Sequence, residues 1–133
     1  MKRQLLVVCS ICCLFAINMN AQNNTTVEDP DFVNFELDSL LAQMDDNGRP
    51  WLPFQKGKNV LTGIYRLKAG ATDQQQPHNT DEVYYVIAGK AKFTAAEKTI
   101  DVQAGSILFV KAAIEHQFSE IEEELIILVF FDQ

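Results

Sequence analysis

Two histidines are the only imidazoles in the chain, His78 and His116, and one carboxylate, Glu82, lies four residues after the first. Gln76, His78 and Glu82 share parity, so on an extended chain their side chains project to one face. His116 follows a later apolar run by a short turn and could meet them from the opposite wall. Two neutral imidazoles and a carboxylate converging on one point bind a divalent transition metal. With positions left open, the set is of the ligand type found in non-haem Fe(II) sites. Gln76 adds a carboxamide oxygen, a weaker fourth donor or a hydrogen-bonding neighbour. Tyr84 shares the parity of Glu82, and Phe118 that of His116. Tyr84 is therefore a candidate acid or hydrogen-bond donor, and both are candidate substrate contacts. Packing is the alternative role for Tyr84, because aromatic strand residues mostly fill cores. No nucleophile elbow, phosphate loop or Cys–His pair accompanies them.

The elements that must position these groups are short. Residues 22–28 read as a polar leader. Asp29 is placed as an N-cap, with Pro30 at the first helical position. Val33, Leu37, Leu40, Leu41 and Met44 follow at helical spacing, so an amphipathic helix is predicted over 30–44. Asp46-Asn47-Gly48 and Pro50 end it. From Trp51 the pattern changes to apolar β runs at 60–67, 82–88, 91–93, 98–102, 106–110 and 124–131, punctuated at Gly70, Gly89-Lys90 and Gly105. The run Glu120 to Glu124 is expected as an acidic turn before the last strand. Such an order predicts an all-β sandwich or barrel preceded by one helix.

The spacing of the chemical residues resembles the cupin superfamily. Its first motif runs Gly, five residues, His, one, His, three or four, Glu, six, Gly. Here the series is Gly70, Gln76, His78, Glu82 and Gly89 at the same intervals. The second motif runs Gly, five residues, Pro, one, Gly, two, His, three, Asn, against Gly105, Lys111, Ala113, His116 and Glu120 here. The resemblance spans roughly Val60 to Phe131. It implies a cupin jelly-roll, a double-stranded β-helix barrel. It places His78, Glu82 and His116 at metal-ligand positions for a divalent ion such as Fe, Mn, Zn or Ni. Gln76 departs from the first motif and Lys111, Ala113 and Glu120 from the second. Two functions follow: a metal-dependent oxygenase or isomerase acting on a small metabolite, or a non-catalytic module that binds a small molecule in its barrel. A barrel that keeps its shape and holds no metal is the third possibility.

Composition narrows the partners. The chain has 133 residues, 47% hydrophobic, and a net charge of −7. One domain fits that length, and no Lys/Arg cluster exists to bind nucleic acid. Lys2 and Arg3 precede a thirteen-residue run, Leu5 to Ile17, interrupted only by Ser10. This is the layout of a signal peptide, residues 1–21, cleaved after Ala21. The run is too short to span a bilayer core of about 30 Å, so no stable membrane insertion is expected after cleavage. Cys9, Cys12 and Cys13 leave with it, so the exported domain, periplasmic or extracellular, has no disulfide. The domains expected are this signal, a leader and helix over 22–50, and a barrel over 51–133. A homodimer is expected as well. The resemblance implies pairing, a barrel of this size has a limited core, and Phe130 and Phe131 add surface that needs cover.

Both expectations are checked on one sample of exported protein. Mass spectrometry should find Gln22 at the mature N-terminus, and light scattering should return twice that polypeptide mass. An intact Met1 overturns the first, and a monomer across micromolar concentrations overturns the second.

Overall fold

A computed structural model describes residues 30–133. The expected signal segment, its three cysteines and the Asp29 cap lie outside them. Residues 30–33 fall in a separate unit, and Asn34–Gln133 carries all of the regular structure. It comprises helix α1 (Leu37–Asn47) and strands β1 (Trp51–Lys56), β2 (Val60–Leu67), β3 (Glu82–Ala95), β4 (Lys98–Gln103), β5 (Ile107–Val110) and β6 (His116–Asp132). Among the described residues no helix is long and apolar enough to cross a membrane.

Every strand pairing is antiparallel, in the order β1-β2-β6-β3-β4, with β5 also on β3. The two long strands organise the barrel. β3 pairs with β6 from Glu82↔Phe131 to Ala95↔His116. On its other edge β3 meets β5 with its first residues and β4 with its last. Leu125, Ile127 and Val129 alternate inward from β6 with Ile126 and Leu128, which face out. Inside, they join Tyr84, Val86, Phe93 and Phe118 in the main core. Outside, Ile126 and Leu128 meet Ile64, Leu40 and Met44 beneath α1. A strand with apolar residues on both faces reads as a continuous hydrophobic run, which is why Leu125–Phe131 shows no alternation in sequence.

The helix begins later than its sequence predicts. Residues 30–36 are not helical, and Glu36 takes the N-cap position without a side-chain cap. Phe35 lies against Phe54, ring centroids 4.8 Å apart, yet stays 38% exposed; the residues that anchor the helix by burial, Leu40 and Met44, come later. Gly48, left-handed at φ 65°, ends the helix as expected. Arg66 then ties α1 to the sheet, bonding Asp45 at 2.7 Å and Glu124 through two nitrogens at 3.0 and 3.1 Å.

Three further expectations are corrected. β1 was not among the predicted runs; Pro53 interrupts its pattern, yet an edge strand tolerates the missing donor. The two runs at 82–88 and 91–93 are one strand, and Gly89 is an interior bulge, not a turn. The acidic residues 120–124 lie within β6, where Glu120 adopts φ 46°. Glu123, Glu120 and Glu124 pair outward with Lys90, Lys92 and Arg66.

Gly89 has φ 95°, and a Cβ there would stand 2.3 Å from the carbonyl oxygen of Glu124. Two strands approach so closely only because no side chain intervenes. Gly105 also has positive φ, but nothing lies within 4 Å of its Cβ position. Gly89→Ala should therefore cost several kcal/mol, and Gly105→Ala only the left-handed penalty of about 1 kcal/mol. Urea unfolding midpoints measure the difference; equal losses would remove the close-approach argument.

Candidate metal centre

Barrel closure brings the ends of β3 and β6 together. Glu82 opens β3 and His116 opens β6, far apart along the shared ladder, yet His116 Nε2 lies 3.0 Å from Glu82 Oε1. His78 comes from the irregular segment before β3, its Nδ1 3.1 Å from Glu82 Oε2. Ligand atoms of His78, Glu82 and His116 all fall within 4.8 Å of one another. The side chains of Glu82 and His116 are 1% and 0% exposed, whereas His78 is 37% exposed. The centre thus has two buried donors and one at its mouth.

The donor chemistry suits a metal. His116 Nδ1 lies 2.7 Å from the carbonyl of Ile114, which accepts the ring N–H and so turns Nε2 toward Glu82. Orientation by a backbone carbonyl is the usual support of a metal-binding imidazole. Two imidazoles and one carboxylate would leave coordination positions open on an ion held there. Tyr84 Oη stands 2.8 Å from Glu82 Oε2 and 2.9 Å from His116 Nε2.

Burial pushes the Glu82 carboxyl up, but hydrogen bonds from His116 and Tyr84 and the nearby imidazoles outweigh it. The net effect holds Glu82 below the usual carboxylate range. Burial pulls His116 down, and its bonds to Glu82 and Ile114 reverse this, leaving it raised. For Tyr84, burial, then the charge and hydrogen bond of Glu82, all act upward. The phenol therefore keeps its proton across the neutral range: it is a hydrogen-bond donor and not a base.

The second of the three consecutive glutamines, not the third, faces this centre. Gln76 is exposed, while Gln75 Oε1 lies 2.9 Å from Tyr84 Oη. The parity argument fails because residues 71–81 are not a strand. Phe118 is likewise displaced from its expected role. It is 2% exposed and packs edge-on behind Tyr84, centroids 5.6 Å apart, outside the cavity lining. Phe131, expected as outer surface, turns inward against Trp51 and His78, and Phe130 stays outside.

Asp73 went unnoticed in the sequence. It is 8% exposed and accepts four hydrogen bonds, from the Tyr65 hydroxyl, the Gln75 amide and side chain, and the Phe118 amide. Because Gln75 Nε2 donates to Asp73 at 2.7 Å, its oxygen is the end turned toward Tyr84, an alternative to Glu82 as acceptor of the single phenol proton. A lone Asp beside three glutamines in a polar loop carries no periodic signal, so only the fold reveals it.

A cavity of about 460 Å³ opens beside the centre. Trp51, Leu61, Val129 and Phe131 supply apolar walls, and Tyr65, Gln75, His78 and Tyr84 supply polar groups. A largely apolar hollow with a few convergent polar atoms is the usual form of a small-molecule site. Gly63 makes room for the Trp51 wall of it, since a Cβ there would collide with the Trp51 ring.

Comparison with known proteins adds the following. A family model described as a cupin domain matches residues 63–131. An uncharacterized protein from Streptomyces coelicolor is 42% identical over 97 residues, 73% of this chain and 92% of its own. Among solved structures, an RmlC-like cupin family protein with a double-stranded β-helix fold from Methanocaldococcus jannaschii aligns with TM-score 0.56 at 15% identity, over 62% of this chain and 77% of that one. The DMSP lyase DddQ from Ruegeria pomeroyi aligns with TM-score 0.57 at 15% identity. That alignment covers 66% of this chain and 49% of the lyase, so the chain spans about half the lyase's length. At these identities the solved structures share the fold.

Metal and proton compete for His116, and the pair gives opposite pH signatures. In metal-free protein the raised His116 contributes stability that is full below its unfolded value, about 6.5, and is lost as pH rises through the folded value. The lowered Glu82 contributes above its unfolded value, about 4.3, and that contribution is lost on acidification through the folded value. Metal-free protein should therefore be most stable between these limits. With a divalent metal, which needs neutral imidazole, stability should instead rise from pH 6 to 8. Thermal midpoints with and without chelator test this; parallel profiles would contradict it.

Proposed function

We propose that this chain, which belongs to the cupin family, is an exported metal-dependent enzyme that oxygenates or isomerises a small metabolite. The observation that carries the reading is the adjacency of two features. The group of His78, Glu82 and His116 borders an aromatic-walled cavity through His78 and Tyr84. A divalent Fe, Mn, Zn or Ni ion held by those three residues would supply a Lewis acid to a ligand oxygen.

The chain's own groups do the rest. Ile114 holds the His116 ring, while Asp73 and Gln75 hold the Tyr84 hydroxyl. Tyr84, protonated at neutral pH, donates a hydrogen bond to a ligand oxygen or to Glu82. Trp51 and Phe131, centroids 5.7 Å apart, exclude water from the inner wall. Export is supported by the basic and apolar start of the sequence. Pairing is supported by Ile107 and Phe109, 72% and 60% exposed on β5. That uncharged strip is where a second acidic copy can approach without repulsion.

A non-catalytic binding module is the second reading. It is favoured by the exposed Gln76 where the family's first histidine stands, and by Tyr84 being the one strong proton-holding group beside the trio.

Metal analysis of untagged protein tests the first reading. His78→Ala and His116→Ala should each weaken metal affinity about a hundredfold or more, since two remaining ligands compete poorly with water. Gln76→Ala should leave it unchanged. Tyr84→Phe should keep the metal and lose turnover. Equal metal content in wild type and both histidine variants sinks the metal reading. Metal-loaded protein that turns over no member of a small-metabolite panel leaves the binding module.

A further inference from the structure

The ligand cavity adjoins a second depression of about 420 Å³, and Pro50, Tyr65 and Gln74 line both. Their chemistry differs sharply. The inner cavity has no Lys, Arg, Asp or Glu in its lining. The outer one gathers Arg49, Arg66 and Lys68 against a single carboxylate, Asp45.

Strand register produces this gathering. Trp51 pairs with Tyr65, and the Arg66 amide donates to the Pro50 carbonyl at 2.8 Å. Arg49 immediately precedes Pro50 and Lys68 follows Leu67, so both stand at this open end of the β1–β2 pair and line the outer depression. Arg66 is already committed to Asp45 and Glu124. Arg49 and Lys68 are exposed and make no ion pair among the described residues. In a chain of net charge −7, two uncommitted cations beside the ligand cavity reverse the local field.

We propose that the ligand is an amphiphilic anion, with an uncharged, mainly apolar body in the inner cavity and a carboxylate or phosphate group at Arg49 and Lys68. This rests on the cavity being the ligand site. The division of labour follows from solvation. A charged body in the inner cavity would lose hydration with no opposite side-chain charge to replace it, whereas the outer depression keeps water and supplies two cations.

Trp51 is the sole tryptophan and lines the cavity, so its fluorescence reports occupancy directly. Three probes of matched length are titrated: 4-phenylbutyrate, 4-phenylbutyramide and 3-phenylpropyl phosphate. Protein is used as purified and after chelation. Both anions, or one of them, should bind about five- to tenfold more tightly than the amide before and after chelation. The preference should weaken with salt and vanish in Arg49→Gln/Lys68→Gln. Whichever anion is favoured identifies the headgroup. Equal binding of all three probes overturns the proposal, as does a preference that survives the double substitution. A preference that disappears on chelation places the anion on the metal, overturning this proposal while sparing the metal reading. No Trp51 response to any probe overturns the cavity reading and this inference together.

Discussion

A carboxylate with 1% of its side chain exposed must be compensated, because moving an unpaired charge out of water costs several kcal/mol even after relaxation. Glu82 is compensated by His116 at 3.0 Å, His78 at 3.1 Å and the Tyr84 hydroxyl at 2.8 Å. Each partner comes from a different place: the start of β6, the loop before β3, and β3 itself. The barrel must therefore close in this one way for the charge to be tolerated. Register slippage of a single residue in β3 would turn Glu82 and Tyr84 outward together. The bulges between Val86 and Lys92 help set that register, and Gly89 is the residue that permits them.

The same constraint separates what the sequence reveals from what it conceals. His78, Glu82 and His116 were legible because their intervals follow one motif, and motif spacing survives any local irregularity between the ligands. Gln76 misled because parity presumes an extended chain, and Pro77 lies in a segment that is not a strand. β2 kept its sequence boundaries to the residue, since Val60–Leu67 is bounded by loop at both ends. β6 was read at half its length: Glu120–Glu124 looks like solvated turn, but those carboxylates find outward cations while Ile121 and Leu125 face the core. Helix α1 shows a weak local signal going unused: an Asp-Pro start is worth about 1 kcal/mol, and the buried anchors of the helix, Leu40 and Met44, lie beyond residue 36.

Asp73 is the deeper omission, because without it the centre would be a trio with an unanchored phenol. Its hold on Gln75 fixes which end of the carboxamide faces Tyr84. The Phe118 amide donates to the same carboxylate at 2.8 Å, joining the loop after β2 to the interior of β6. Asp73 thereby couples the position of the site loop to a core strand. No pattern in the primary sequence announces a contact between residues 45 positions apart.

Glu82 and Asp73 are chemically alike and both buried, yet their surroundings assign them different work. The Asp73 oxygens accept four hydrogen bonds, two of them from backbone amides that cannot move away. Four is about the full accepting capacity of a carboxylate, so no lone pair is left for a cation. Every partner of Glu82 is a side chain, and two are imidazoles that can trade a proton for a metal bond. An ion arriving at Glu82 would replace imidazole–carboxylate contacts with coordination by the same atoms and leave no group unsatisfied. At Asp73 it would strip backbone amides of their acceptor at a cost of about 1–3 kcal/mol each. Backbone donors make one carboxylate a fixture and side-chain donors leave the other free to bind, which is why the group able to hold a metal gathers at Glu82.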